Sequence, residues 1–253
     1  MNKFVQLANG AHLPSIGLGS YESGHLIRRA FEIGYRQLDC APLYRNQSEI
    51  GVHIENAISE NVLKRDELFI TSKLPMNGMR PEKVEYFLRK SLKELRVDYV
   101  DLFLIHAPFA IKYVADDVFY PTDESTEMLL ADEELDFCVT WKASLFIFEN
   151  NEEMERMVNI GLAKSIGLSN FNENQISRIL QMATIKPTVL QVELHAYFQQ
   201  RKLVKFCNDN KIAVQAFASL GSPQTAAEYQ NSILINDPIV KQIADKYKKT
   251  VAQ

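Results

Sequence analysis

Cysteine and tryptophan are scarce in this chain of 253 residues, which holds three Cys and a single Trp. Cys40, Cys138 and Cys207 are odd in number, far apart and form no CxxC, which excludes a disulfide framework and points to a reducing compartment. The five histidines are scattered with no HxH or HExxH, so no metal site is predicted. A basic excess is missing: Lys plus Arg is 28 against 32 for Asp plus Glu, a net charge of −4, unlike a general nucleic-acid binder. No apolar run approaches the roughly 18 residues of a membrane span. The opening MNKFVQLANG has no apolar stretch of signal-peptide length. A cytoplasmic protein that binds neither membrane nor nucleic acid is expected. What is present is ordinary globular material, 46% hydrophobic and 24% charged, enough for one large domain over residues 1–253.

Short apolar runs alternate with longer helical patterns. FVQL, the turn Asn9-Gly10 and LPSIGLG predict a hairpin leading into a first strand. Further strands are expected at 35–40, 67–74, 99–106, 162–169, 188–194 and 212–219. Helical patterns cover 25–33, 48–60, 81–95, a region around 133–160, 172–183, 199–209 and 237–253. The start at Pro81 is clear, with Glu82 and Glu85 in the first turn. Strand–helix repetition with near-continuous apolar strands predicts a parallel sheet covered by helices. An open dinucleotide fold needs GxGxxG after its first strand. Gly17-Leu18-Gly19 supplies only GxG, so a (β/α)8 barrel is favoured.

Three consecutive strands end in an ionisable residue: Asp39, then Lys73 and His106 at spacings of 34 and 33. That is close to one βα unit, and strand ends of a barrel converge on one mouth. Each alone has a bland explanation: a helix cap for Asp39, a loop lysine, a buried histidine satisfied by backbone. The repetition weakens all three, and Tyr44 lies on the loop overhanging the same mouth. An ammonium beside a phenol is expected to lower the phenol's pKa. A carboxylate would keep that ammonium charged, and a neutral histidine would donate to a substrate oxygen. Such a set is a general acid aimed at developing negative charge, as carbonyl reduction requires.

LDCAPLYRNQSEIG, FITSKL, DLFLIHAP, KSIGLSNFN, LQVELHAYFQQ and VQAFASLGSP, in this order, resemble the landmark segments of the aldo-keto reductases, and LANGAHLPSIGLGSY resembles their opening hairpin. The resemblance implies a (β/α)8 TIM barrel and NADPH-dependent reduction of aldehydes and ketones. It places Asp39, Tyr44, Lys73 and His106 on the catalytic tetrad. It puts Ser169, Asn170 and Gln191 on the nicotinamide carboxamide, Phe217 where a tyrosine usually stacks on the ring, and Leu220 and Ser222 on the cofactor loop. Tyr21, His106 and Ala107 fall at the substrate site. The alternative for Ser169-Asn170 is a helix N-cap. A monomer acting on a small carbonyl compound is expected.

Several positions depart from the family pattern. Ala107 and Tyr21 replace frequent tryptophans, Ala218 a serine and Ser219 a proline. The first helix is clipped between Glu22 and Gly34, and residues 144–151 are an insertion expected outside the core. The chain stops at KYKKTVAQ, where an eighth βα unit is expected to be missing. Ile16, Leu18, Val214 and Ala216, taken as inner residues, would then lose neighbours, with marginal folding and weak NADPH binding as the expected result. Two alternatives stay open: a non-catalytic member acting as a binding or structural protein, and an NAD-preferring enzyme.

Overall fold

The structure is a computed structural model that describes residues 3–142, 153–221 and 234–253. Strands β1 (Phe4–Gln6) and β2 (His12–Pro14) form an antiparallel hairpin with Val5 opposite Leu13. Its turn needs Gly10, whose φ is +88°, a left-handed conformation that glycine adopts without a Cβ clash. Asn9 ties the turn to the rest of the fold by donating to the Lys164 carbonyl and the Ser165 hydroxyl, at 3.1 and 2.9 Å.

Among the described residues seven parallel strands follow: β3 (Leu18–Gly19), β4 (Gln37–Asp39), β5 (Phe69–Leu74), β6 (Leu102–Ile105), β7 (Ile166–Ser169), β8 (Val189–Glu193) and β9 (Ala213–Phe217). Each pairs with the next in chain order. The helices between them are α1 (Ile27–Glu32), α2 (Gln47–Ser59), α3 (Pro81–Leu95), α4 (Phe137–Trp141), α5 (Glu153–Asn159), α6 (Glu173–Met182) and α7 (Arg201–Asp209), with α8 (Pro238–Tyr247) after β9. This is the expected α/β barrel architecture. Among the described residues no helix is long and apolar enough to cross a membrane.

Strand alternation divides the apolar residues into two layers. Leu38, Ile70, Phe103 and Ile105 face outward onto helix residues such as Ile50, Ile54 and Leu88. Phe69, Leu102, Leu104 and Val189 face inward, where Leu7 and Leu13 of the hairpin close the floor. The alternation corrects one expectation: Leu18 and Val214 pack with the outer layer, Ile16 is 62% exposed, Ala216 shares the face of Val214 and is exposed, and the inner face of β9 begins at Ala213.

Helix α3 begins at Pro81 as expected and buries the stripe Val84, Phe87, Leu88, Leu92 and Leu95. It ends at Arg96, whose φ is +57°. Glu85 serves ion pairs with Arg89 and Arg156 rather than the first turn. Helix α8 stops at Tyr247, short of the expected end at 253, because Lys248 turns left-handed at φ +52°. The 133–160 region holds α4 and α5, and residues 144–151 lie outside the described residues.

Candidate active site

Asp39 is the last residue of β4, Lys73 lies near the end of β5, and His106 follows β6. Strand register aligns these ends, with Asp39 opposite Thr71 and Lys73 opposite Leu104. Tyr44 closes a 3-10 turn, Pro42–Tyr44, set by Pro42 at its first position and by the Tyr44 amide donating to the Ala41 carbonyl. The turn swings the phenol back over the strand ends.

Lys73 is buried, and its ammonium donates to Asp39 Oδ2 at 2.7 Å, to the Tyr44 hydroxyl at 2.8 Å and to the Cys40 carbonyl at 3.3 Å. All three N–H bonds are therefore used. Burial works to lower the Lys73 pKa, but Asp39 and Tyr44 more than offset it, and the net direction is upward. Lys73 is an ammonium at neutral pH.

The expected lowering of the Tyr44 pKa does not occur. Burial pushes the phenol up, and the opposing pull of Lys73 does not overcome burial together with the Asp39 charge. Tyr44 is thus held protonated beside a fixed cation. His106 is driven down to about 3, first by burial and then by Lys73, so its imidazole is neutral. Its Nδ1 is buried without a partner among the described residues. Tyr21, Tyr44 and His106 form an edge-to-face row with ring centres 5.5 and 6.0 Å apart. Tyr21 is half exposed at its outer end. Ala107 sits buried with Met76 and Ile111 against Leu43.

A second polar group adjoins the first. Ser169 ends β7 and is buried. Asn170 turns left-handed at φ +64°, and its side-chain amide donates to the His106 carbonyl at 2.9 Å and to the Ser169 hydroxyl oxygen at 3.2 Å. The Asn170 backbone amide donates to the Gln191 carbonyl. Ser169 and Asn170 do not cap α6. That cap is Asn172, in a reciprocal box with Gln175. Freed from capping, the pair presents its polar groups at the mouth. Gln191, from β8, donates to Asp39 Oδ1 at 2.8 Å. Phe217 ends β9 and Leu220 follows, 38% exposed; Ser222 lies outside the described residues.

Two contributors carry no sequence signal. The Cys40 carbonyl is a backbone group, and any residue would supply it. Tyr120, on the long connection after β6, lies near Tyr21: burial, and then Tyr21, push its phenol up. A cavity of about 600 Å³ lies at the opposite end, between the hairpin and the start of β5. Its cations are already engaged, Lys164 with Asp101 and Arg36 with the Phe31 and Tyr35 carbonyls. The chemistry belongs to the mouth.

A parallel barrel carrying a buried carboxylate–ammonium–phenol chain at its carboxyl end defines a class of acid-assisted oxidoreductases. The model of the aldo/keto reductase family matches residues 19–251. The chain is similar to aldo-keto reductase family 1 member A1 of Gallus gallus, 41% identical over 99% of this chain and 74% of the relative. It is also similar to prostaglandin F synthase 1 of Bos taurus, 38% identical over 98% and 76%. A solved structure of the aldose reductase from Schistosoma japonicum superposes with a TM-score of 0.87, at 42% identity, covering 99% of this chain and 77% of that one. The chain belongs to the aldo/keto reductase family, and its general chemistry is oxidoreduction at carbonyl groups.

Proposed function

We propose that this chain reduces aldehydes or ketones to alcohols with NADPH, and that Tyr44 delivers the proton. The observation that carries this is the buried chain from Asp39 through Lys73 to the Tyr44 hydroxyl, at 2.7 and 2.8 Å. Burying an ammonium costs several kcal/mol before it is paired. A protein that only binds or scaffolds has no use for that arrangement, and this disfavours the non-catalytic alternative.

The free groups beside the chain fit a nicotinamide carboxamide. Asn170 Oδ1 and Gln191 Oε1 have no partner among the described residues and can accept its N–H bonds. The Ser169 hydroxyl proton is free to donate to its carbonyl. Phe217 offers a ring face for stacking. When bound, NADPH supplies the hydride.

The residues of the chain do the rest. The Tyr44 hydroxyl donates to the substrate oxygen, and its proton moves there as charge develops. Lys73 stays an ammonium and stabilises the phenolate left behind. Neutral His106 orients the same oxygen, and Tyr21 supplies an aromatic wall. The enzyme acts as a cytoplasmic monomer on a small carbonyl compound, with no nucleic-acid or membrane partner.

The test is oxidation of NADPH, with NADH in parallel, by the purified chain against a panel of aromatic and aliphatic aldehydes. Sedimentation of the same sample reads the oligomeric state. Turnover that depends on both cofactor and aldehyde supports the proposal. Cofactor binding without turnover across the panel would favour the binding protein.

A further inference from the structure

Asp39 has two carboxylate oxygens, and different strands hold them. Oδ2 accepts from Lys73 on β5 at 2.7 Å, and Oδ1 accepts from the Gln191 side-chain amide on β8 at 2.8 Å. The second bond crosses the barrel interior between residues 152 apart in sequence, and Gln191 is only 2% exposed. The backbone of Gln191 is engaged as well, since its carbonyl accepts from the Asn170 amide at 3.0 Å. One residue therefore joins the Ser169–Asn170 corner to the carboxylate behind Lys73.

We propose that Gln191 is a positioning residue, whose side-chain amide fixes the Asp39 carboxylate and thereby aims the Lys73 ammonium at the Tyr44 hydroxyl. The proposal rests on the reading of Tyr44 as the proton donor. With Oδ1 untethered, the carboxylate can rotate about its bond to Cβ. Lys73 has no spare N–H with which to follow it, because its other two bonds go to Tyr44 and the Cys40 carbonyl. A neutral amide suits this task. It satisfies a buried acceptor without adding a second cation that would compete with Lys73 for Asp39. The Gln191 side-chain oxygen Oε1 has no partner among the described residues, so the tether does not use up its capacity toward a carboxamide.

Gln191→Glu converts the donor into a second carboxylate facing Asp39. Two carboxylates in contact share one proton at low pH and repel at high pH. The other titratable groups around Asp39 are Lys73 on β5, Tyr44 and Cys40 beyond β4, and His106 beyond β6. The variant should therefore acquire a pH dependence that wild type lacks. Its midpoint of thermal unfolding, measured without cofactor, should fall relative to wild type as pH rises from about 5.5 to 8.5. Its kcat should fall at least about tenfold over that interval, with wild type flat. Adding Asp39→Asn to Gln191→Glu puts the donor on β4 and the acceptor on β8, and should abolish the extra pH dependence of the midpoint.

A midpoint difference that is constant with pH would overturn the proposal. A variant with pH-independent kcat and only a raised KM for NADPH would also overturn it, leaving Gln191 a cofactor contact alone. A variant inactive at every pH supports the proposal if NADPH still binds within about fivefold of wild type, roughly 1 kcal/mol, and overturns it if binding is lost. Failure of the wild type to reduce any carbonyl compound would instead overturn the proton-donor reading, while the thermal series still judges the Gln191–Asp39 contact.

Discussion

The Lys73 ammonium lies 2.8 Å from the Tyr44 hydroxyl and 4.7 Å from the centre of the same ring, so one cation meets both the oxygen and the π system of one side chain. The two contacts separate under mutation. Tyr44→Phe keeps the ring, its place in the row with Tyr21 and His106, and the cation–π contact. It loses the transferable proton. Carbonyl reduction should drop by at least about 100-fold in kcat, the usual scale for losing a positioned general acid. The Kd for NADPH should stay within a few-fold. Trp141, buried in α4 and the only tryptophan of the chain, allows binding to be read by fluorescence. Loss of binding along with turnover would make Tyr44 a structural residue.

The protonation states predict an activity profile without a neutral-pH limb. Burial raises Tyr44, the net effect of Asp39 and Tyr44 over burial raises Lys73, and His106 sits at about 3. None of the three changes state between about pH 6 and 9. The kcat for reduction should be flat there and should fall at higher pH, where the phenol ionises and no longer donates. A limb near pH 7 would assign the acid to another group.

Much of this is legible in the amino-acid sequence itself. Asp39, Lys73 and His106 recur at one unit's spacing because strands buried on both faces admit a charged residue only at their ends. The β4–β8 runs are legible for the same reason. The outward direction of Leu18 and Val214 was not, since in a strand apolar on both faces the alternation has no polar partner to fix its phase. Nor was the cap of α6. Both Ser169-Asn170 and Asn172 are good capping chemistry, and the left-handed turn at Asn170 decides between them. The direction of the Tyr44 shift is not legible either, because a charged neighbour is visible in sequence and the extent of desolvation is not.

His106 should also shape stability in acid. The folded imidazole takes up a proton only near pH 3, whereas an unfolded one does so near 6.5. Below pH 6.5 the unfolded state therefore binds the extra proton, and stability falls as pH drops from 6.5 toward 3. The expected loss is about 1.4 kcal/mol per pH unit, so about 2 kcal/mol between pH 6.5 and 5. His106→Gln removes the titrating group. Urea unfolding at pH 7 and pH 5 should show a smaller acid loss in the variant by about that amount. Equal losses would mean that the folded imidazole titrates normally.

The last prediction concerns the helix pair that carries the turn bearing Tyr44. Helix α2 follows that turn directly, and it packs on the end of α3 through Gly51. A Cβ at Gly51 would run into the backbone carbonyl of Glu94 and come within 2.9 and 3.0 Å of the Leu95 carbonyl carbon and Cα. These are backbone atoms at the end of a helix and have no rotamer to yield, so α2 and α3 must move apart. Gln47, which bonds Ser72, Ser91 and Glu94 from the first turn of α2, would be drawn with it. Overpacking of this kind costs about 1–3 kcal/mol. Alanine recovers up to about 1 kcal/mol of that through helix propensity. Because the obstructing atoms are backbone, the cost sits in the upper half of that range, and Gly51→Ala should be destabilising by about 1–2 kcal/mol in urea unfolding. Val52→Ala, at the neighbouring position and 37% exposed, removes partly exposed methyls, meets no such backbone and serves as the control, with a change of about 0.5 kcal/mol or less. A Gly51→Ala protein as stable as wild type would show that α2 and α3 do not approach this closely, and the placement of Tyr44 would then need a support other than this helix contact.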